Sequence, residues 1–359
     1  MTRSEYEIAL YRPEHMHQVE ALLHQFFGGD LDINRSYLKW KYHDNPYSES
    51  PLGIVAFHKG EVVGFRGYFA TKWHIPEKSY QWIVLGPGDT YVHPDHRMKG
   101  LSITMGNIAM EEFASSYRVF LNTSAMKTSV PGYLKMGFVP IADKTYLMQY
   151  NLIVLLMKKF FWPSDKGSEL SKERIEYGKF DDIIIAESPK PKEMSAVMSR
   201  QVCNGHRITV FQDEEFFRWR FNNNRNHYIF YYSHKDNAVM GYVVILLLQN
   251  NHFGYVVDFA EIYAGALEKI FRHIVQKKHI DTIAIPNISL NEDFSQMVKD
   301  IGFKADSLIE RRIRKVTGAC PILVRPVQKR CVEDDWYIEG LDIRNSENWH
   351  IKGICNDGF

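Results

Sequence analysis

The stretch of this chain with the most potential chemistry is Asp89-Thr-Tyr91-Val92-His-Pro-Asp-His-Arg97-Met98-Lys99-Gly100-Leu101-Ser102. A strand ending in valine passes through a proline-stopped turn into a basic, glycine-bearing loop, and the loop opens a helix. Such a segment is an anion cradle. Amide N–H groups of the loop and of the first helical turn converge on one spot, and the helix dipole favours negative charge there. Gly100 lets the backbone approach a phosphate closely. Arg97 and Lys99 add charge, and Ser102 is a good helix N-cap residue. The purely structural alternative is a capped helix after a surface turn, with Arg97 and Lys99 solvated.

The elements around this loop read as an α/β unit. Tyr6 to Tyr11 alternates like a strand. Glu14 to Phe27 places Val19, Leu22, Leu23, Phe26 and Phe27 at helical spacing, and Asn34 to Tyr42 forms a second short helix. Two strands follow, Gly53–Phe57 and Val62–Phe65, joined by a His58-Lys-Gly-Glu61 turn. Gln81 to Val92 is a longer strand interrupted by Gly86-Pro-Gly88, which predicts a bulge. Leu101 to Phe113 is a helix, Val119 to Asn122 a strand, Ser129 to Met136 a helix, and Phe138 to Tyr150 closes the unit with strand character.

This order resembles the GNAT N-acetyltransferase superfamily. Arg97-Met-Lys-Gly100-Leu-Ser102 matches the Arg/Gln-x-x-Gly-x-Gly/Ala loop that follows a valine-ended strand, with Ser102 in place of the last small residue. Tyr133-Leu-Lys-Met-Gly137-Phe138 matches the later Tyr-x-x-x-Gly-Phe helix. The resemblance covers roughly residues 6 to 150. It implies that acetyl-CoA is the acyl donor. Tyr91 and Val92 at the strand end then pair with the pantetheine arm, and amides from Arg97 through Met98, Lys99, Gly100 and Leu101 to Ser102 hold the pyrophosphate. Asn122 makes a polar contact to the pantetheine, and Tyr133 protonates the departing thiolate. The amine attacks directly, a strand amide stabilises the oxyanion, and a base takes the ammonium proton. Asp89 is the first candidate for that base, with His93 and His74 behind it. The structural alternative for Asp89 is a carboxylate bracing the Gly86-Pro-Gly88 bulge, and for Tyr133 a packing tyrosine.

A diverged internal repeat extends the reading to the rest of the chain. Tyr37-Leu-Lys-Trp40-Lys-Tyr42 resembles Phe216-Phe-Arg-Trp219-Arg-Phe221. Gly64 and Gly241 follow at similar spacing, and Met136-Gly137-Phe138 echoes Ile301-Gly302-Phe303. Between the last two landmarks the second copy is about a dozen residues shorter. It has no Arg-x-x-Gly, and Val298 stands where Tyr133 does. This predicts two GNAT-like α/β (α+β) domains, each a mixed, mostly antiparallel sheet flanked by helices. The first spans 1–150 and binds acetyl-CoA. Residues 151–178 form a connector helix and linker, and 179–359 form a degenerate domain with a C-terminal extension. The degenerate copy packs on the first and helps form the acceptor pocket.

Composition limits the alternatives. Lys plus Arg number 44 against 43 Asp plus Glu, a net charge of +1, so no global field holds nucleic acid. Four cysteines without a Cys-x-x-Cys pair make neither a disulfide framework nor a zinc site, and no metal is expected. Free thiols suit a reducing cytoplasm. The apolar run Leu152–Met157, followed by two lysines and Phe160–Trp162, is about half the length of a membrane span, so a transmembrane segment is not expected. Its bland reading is a connector helix, and its sharper one an interfacial anchor. The expected activity is N-acetyl transfer from acetyl-CoA to a small or sugar-linked primary amine. Short pieces, Gly88-Asp-Thr90 and the acidic Asp334–Asp342 stretch, resemble acetyltransferases of bacterial surface-polysaccharide and amino-sugar pathways. A non-catalytic CoA-binding scaffold and a tandem-GNAT aminoacyltransferase are the competing classes. A homo-oligomer is left open.

Overall fold

The computed structural model describes residues 5–150, 175–201, 206–248, 253–305 and 320–356. Of the expected connector helix and linker at 151–178, residues 151–174 lie outside the described residues. The first half contains β1 (Glu7–Leu10), α1 (Met16–Phe27), α2 (Leu31–Leu38), β2 (Gly53–His58), β3 (Glu61–Ile75), β4 (Tyr80–Val92), α3 (Leu101–Glu112), β5 (Val119–Asn122), α4 (Val130–Lys135), β6 (Val139–Asp143) and β7 (Tyr146–Tyr150). The second contains β8 (Gly178–Phe180), β9 (Ile183–Ala186), α5 (Pro191–Arg200), β10 (Ile208–Val210), α6 (Glu214–Arg220), β11 (His227–Lys235), β12 (Ala238–Leu248), β13 (Phe253–Glu261), α7 (Ala266–Lys277), β14 (Thr282–Pro286), α8 (Glu292–Asp300) and β15 (Lys304–Ala305). Beyond these come β16 (Pro321–Pro326), the short hairpin β17 (Tyr337–Ile338) and β18 (Leu341–Asp342), and β19 (Trp349–His350).

Two mixed sheets form, as the patterning predicts. The first runs β1-β2-β3-β4-β5-β16-β6, with β10 on β3 and β19 on β10. The second runs β15-β7-β14-β13-β12-β11-β9-β8. In each, one central pair is parallel, β4 with β5 and β13 with β14, and most other pairs are antiparallel. Helices cover the sheets through faces with helical spacing. α7 buries Leu267, Ile270, Phe271 and Ile274, and α1 buries Val19, Leu22 and Leu23.

The sheets do not divide where the sequence does. Phe138 to Tyr150, expected as one closing strand, is two strands that part at Lys144-Thr145. β6 stays in the first sheet, whereas β7 pairs with β14 and β15 in the second. The slot between β5 and β6 is filled by β16, with Leu323 opposite both Asn122 and Pro140. The two units have exchanged a strand. The C-terminal extension therefore completes the first sheet, and the limit at residue 150 crosses a shared layer. The cause is hydrogen bonding: β16 pairs antiparallel with both β5 and β6 and satisfies the edges that they turn toward each other. A fragment ending at Tyr150 is expected to be insoluble, because it lacks β16 and exposes β7. Co-expression with residues 320–356 restores soluble first unit only partly, since β7 still lacks β14. A soluble, monomeric, cooperatively melting 1–150 fragment in a circular-dichroism melt rejects this.

The repeat has a physical seam. Trp40 Nε1 donates to the Trp219 carbonyl at 2.6 Å, and Trp219 Nε1 donates to the Trp40 carbonyl at 3.0 Å. Their rings stack with centroids 5.5 Å apart. This reciprocal contact is what a pseudo-two-fold relation between copies produces. Among the described residues, no helix is long and apolar enough to cross a membrane.

Candidate active site

β4 and β5 pair only at Val84–Val119 and Leu85–Phe120, then part. Beyond that point the β5-facing edge of β4, from Gly86 to Val92, has no strand partner among the described residues. At the mouth of the opening, α3 begins. Its N-cap is Gly100 with φ +78°, and Met98 is also left-handed at φ +61°. The Ile103 and Thr104 amides both return to the Gly100 carbonyl at 3.0 Å. The amides of Leu101 and Ser102, earlier in the turn, have no intrahelical acceptor. A Cβ built on Gly100 meets nothing within 4 Å, so the space above the turn is open. Ser102 is not the N-cap that its type suggests; it sits inside the first turn, and glycine takes the cap because the chain must turn left-handed there.

The other loop residues divide by role. Arg97 folds back, Nε donating to the Val92 carbonyl at 3.0 Å and the guanidinium lying over the Tyr91 ring. Lys99 pairs with Glu5 at 3.3 Å. The Met98 side chain is fully exposed, so this residue offers only backbone. Asn122 is buried and its Oδ1 accepts from the Ser124 amide at 2.9 Å, closing a turn after β5.

Tyr133 is buried on α4, packed edge-on against Phe138. Its hydroxyl has no hydrogen-bond partner among the described residues. Asp89 lies at the bulge of β4 with φ +47°. Its Oδ2 accepts from Lys41 Nζ at 2.8 Å and Tyr42 Oη at 2.7 Å. Its Oδ1 has only a long contact from Tyr37 Oη at 3.4 Å. The Lys41 side chain is 0% exposed. Burial, reinforced by the Asp89 charge, pushes the Tyr42 phenol well above its usual range, so Tyr42 stays a donor. Gly67 makes the network fit, because a Cβ there would sit 2.1 Å from the Tyr42 hydroxyl. His74 and His93 stand apart from Asp89. His74 pairs with Thr209 of β10, and burial lowers its pKa. His93 caps the turn before the loop.

Sequence reasoning missed Lys41, Tyr42 and Tyr37 as partners of Asp89. They sit in the Trp40 motif, where the aromatic pattern signals only core. It also missed the second unit's reach: the Arg225 guanidinium lies over the Phe27 and Tyr37 rings at 4.3 and 4.6 Å.

The second unit shows the same parts without the site. β13 and β14 also part after a short parallel pairing, and α7 also starts behind a left-handed glycine, Gly265 at φ +91°. The loop before it is shorter and carries no arginine. The Glu261 carboxylate accepts from the Leu267 amide at 2.9 Å, so a side chain fills the place of an anion. Phe303 N returns to the Val298 carbonyl as Phe138 N returns to that of Tyr133, at 3.0 and 3.1 Å, which fixes valine as the counterpart of the phenol. A cavity of about 750 Å³ lies in this second cleft, lined by Phe259, Glu261, Leu267, Asn291, Phe294 and His350 among others.

No protein-family model matches the chain, and no curated protein matches it by sequence. Solved structures do match in shape. A probable N-acyltransferase from Enterococcus faecalis superposes with TM-score 0.59 at 10% identity, over 91% of this chain and 74% of that one. A GCN5-related N-acetyltransferase from Anabaena variabilis gives TM-score 0.59 at 12% identity, over 90% and 73%. Saccharomyces cerevisiae N-myristoyltransferase gives 0.56 at 11% identity, over 98% and 86%. Likeness over nine-tenths of this chain or more, with two sheets that each part at a central parallel pair, establishes that the chain carries the GNAT fold twice in tandem.

Proposed function

We propose that this protein is a CoA-dependent acyltransferase that moves an acetyl group from acetyl-CoA to a small or sugar-linked primary amine, using the first unit alone. The observation that supports this most is the coincidence, in the first unit, of a left-handed glycine turn with its first amides unfilled, an unpaired β4 edge and a buried tyrosine whose hydroxyl has no hydrogen-bond partner among the described residues. The second unit's turn at Gly265 is equally open to a Cβ, but Glu261 takes the Leu267 amide and valine replaces the tyrosine. The residues present fit the donor. Leu101 and Ser102 amides with Arg97 and Lys99 suit a pyrophosphate, and the β4 edge suits the amide groups of a pantetheine arm. The Glu261 carboxylate in the second cradle opposes binding there by charge and by filling it. We read the enzyme as cytoplasmic, with Arg225 and the α1–α2 aromatics walling the acceptor side.

In this reading the roles divide as follows. The β4 amides bind the carbonyl oxygen as it becomes anionic. Asp89 takes the acceptor's proton at Oδ1, the oxygen that Lys41 and Tyr42 leave available. Tyr133 delivers a proton to the leaving sulfur. The test is thiol release from acetyl-CoA across pools of amino sugars, amino acids and polyamines, beside calorimetry with CoA. One CoA per chain and amine-dependent thiol release are expected. Absence of both overturns the proposal.

Asp89→Asn separates base from brace. Removing one member of a buried ion pair costs about 3–5 kcal/mol of stability, and activity is expected to fall ~10²-fold or more. Adding Lys41→Met removes the other member of the pair and is expected to restore much of the melting temperature. Activity stays low in the double variant if Asp89 carries a proton, and returns with stability if it only braces the bulge.

A further inference from the structure

Arg66 is 1% exposed in the middle of β3, and among the described residues no carboxylate lies within ion-pair distance of it. Buried charges are normally paired. Here Nε donates to Tyr68 Oη at 2.9 Å, and one terminal nitrogen makes long contacts with Ser102, at 3.4 Å to the carbonyl and 3.5 Å to Oγ. The guanidinium lies over the Tyr133 ring at 4.8 Å from its centroid. Burial works against the charge and the phenols of Tyr133 and Tyr68 work for it; the balance holds the group firmly protonated. A cation therefore sits beside the positive end of α3, and among the described residues its neighbours are neutral rings and dipoles.

The second copy provides an internal control. Gly64 pairs with Val92 and Gly241 with Glu261, each at the same place in its hairpin. Two residues beyond each glycine stand Arg66 and Val243, facing Ile54 and Tyr231 across the neighbouring strand. Val243 is wholly buried. The fold thus accepts valine at this position. Arginine occurs in the copy with the open cradle and Tyr133, and both Arg66 and Tyr133 have valine counterparts, Val243 and Val298, where the cradle is filled.

We propose that Arg66 is a positioning residue for acyl transfer: its guanidinium balances the negative charge that Tyr133 holds after giving its proton to the departing sulfur. This rests on the acyltransferase reading above. As the tetrahedral adduct collapses, the C–S bond breaks and its electron pair goes to sulfur. The Tyr133 O–H bond breaks, its proton joins the sulfur, and the electron pair stays on the phenolate oxygen. The phenolate then regains a proton from solvent. The uncompensated cation in the resting protein is the charge that this step needs.

The experiment compares Arg66→Met and Arg66→Lys with the parent on two donors, acetyl-CoA and an acetyl thioester of an acidic aromatic thiol, which leaves without a proton. With acetyl-CoA, kcat is expected to fall ~10–100-fold in Arg66→Met, with KM and the calorimetric CoA affinity within about threefold, and Arg66→Lys recovers part of the loss. With the acidic thioester, Arg66→Met runs within about threefold of the parent. Equal losses on both donors, or no loss with acetyl-CoA, overturn the proposal. A parent that neither binds CoA nor releases thiol overturns the acyltransferase reading itself, a result distinct from either. If Arg66→Met does not fold, Arg66→Val, which copies the second unit, takes its place in the same comparison.

Discussion

Tyr133→Phe is expected to lower kcat for acetyl transfer by ~10²–10⁴, or roughly 3–5 kcal/mol at 1.36 per decade. The ring keeps its edge contact with Phe138 and its place under Arg66. The change therefore removes a proton without removing packing. Because the hydroxyl has no hydrogen-bond partner among the described residues, its loss strands no donor or acceptor there, and the melting temperature is expected to stay within about 2 °C. KM for acetyl-CoA changes little, since the phenol acts in the transition state. The second-unit change Val298→Ala serves as a control. It is expected to cost stability by opening a cavity in the core and to leave the chemical step alone. Single-turnover thiol release decides the matter. A Tyr133→Phe protein within a factor of a few of the parent assigns the proton to water and returns Tyr133 to packing.

Gly100→Asp is expected to weaken CoA binding by ~10²-fold or more. A new carboxylate about 4 Å from a phosphate costs about 4 kcal/mol at an effective dielectric of 20, less after screening by salt. The new Cβ meets no protein atom within 4 Å, so the substitution does not clash at its branch point. The loss therefore falls on the ligand. The left-handed φ of +78° adds backbone strain that any non-glycine residue shares. Gly100→Asn, which tolerates that conformation without the charge, separates the two contributions and is expected to retain most affinity. Calorimetry with CoA reads both. Undiminished binding in Gly100→Asp reduces the turn to a helix cap. The converse change, Glu261→Gln in the second unit, removes charge from the filled cradle, and no second CoA site is expected, since no basic loop stands beside it.

Much of the fold was legible because local patterns carried it. β5 and the start of α3 fall where alternation and helical spacing place them, and the cradle depends on contiguous residues from Val92 to Ser102. A glycine in a left-handed turn before a helix is a local event, so its chemistry could be read without tertiary context. The repeat was legible for a related reason. Glycines and aromatics that solve the same packing problem twice leave the same spaced marks, even when most identities have drifted. The tryptophan pair that marks the repeat in sequence is the pair that stacks across the seam.

What the chain alone could not show is everything that depends on distant partners. The Tyr146–Tyr150 strand looks like any closing strand; that it crosses to the other sheet depends on edges offered by β14 and β15. Asp89 carries no sign of Lys41, 48 residues away, and Gly67 carries no sign of the tyrosine hydroxyl it admits. Arg66 reads in sequence as an ordinary polar residue in a strand. Only packing α3 and α4 over β3 strips it of water and sets it on Tyr133. Periodicity fixes which face a side chain takes, whereas the charge it meets there is decided by elements that arrive from elsewhere in the chain.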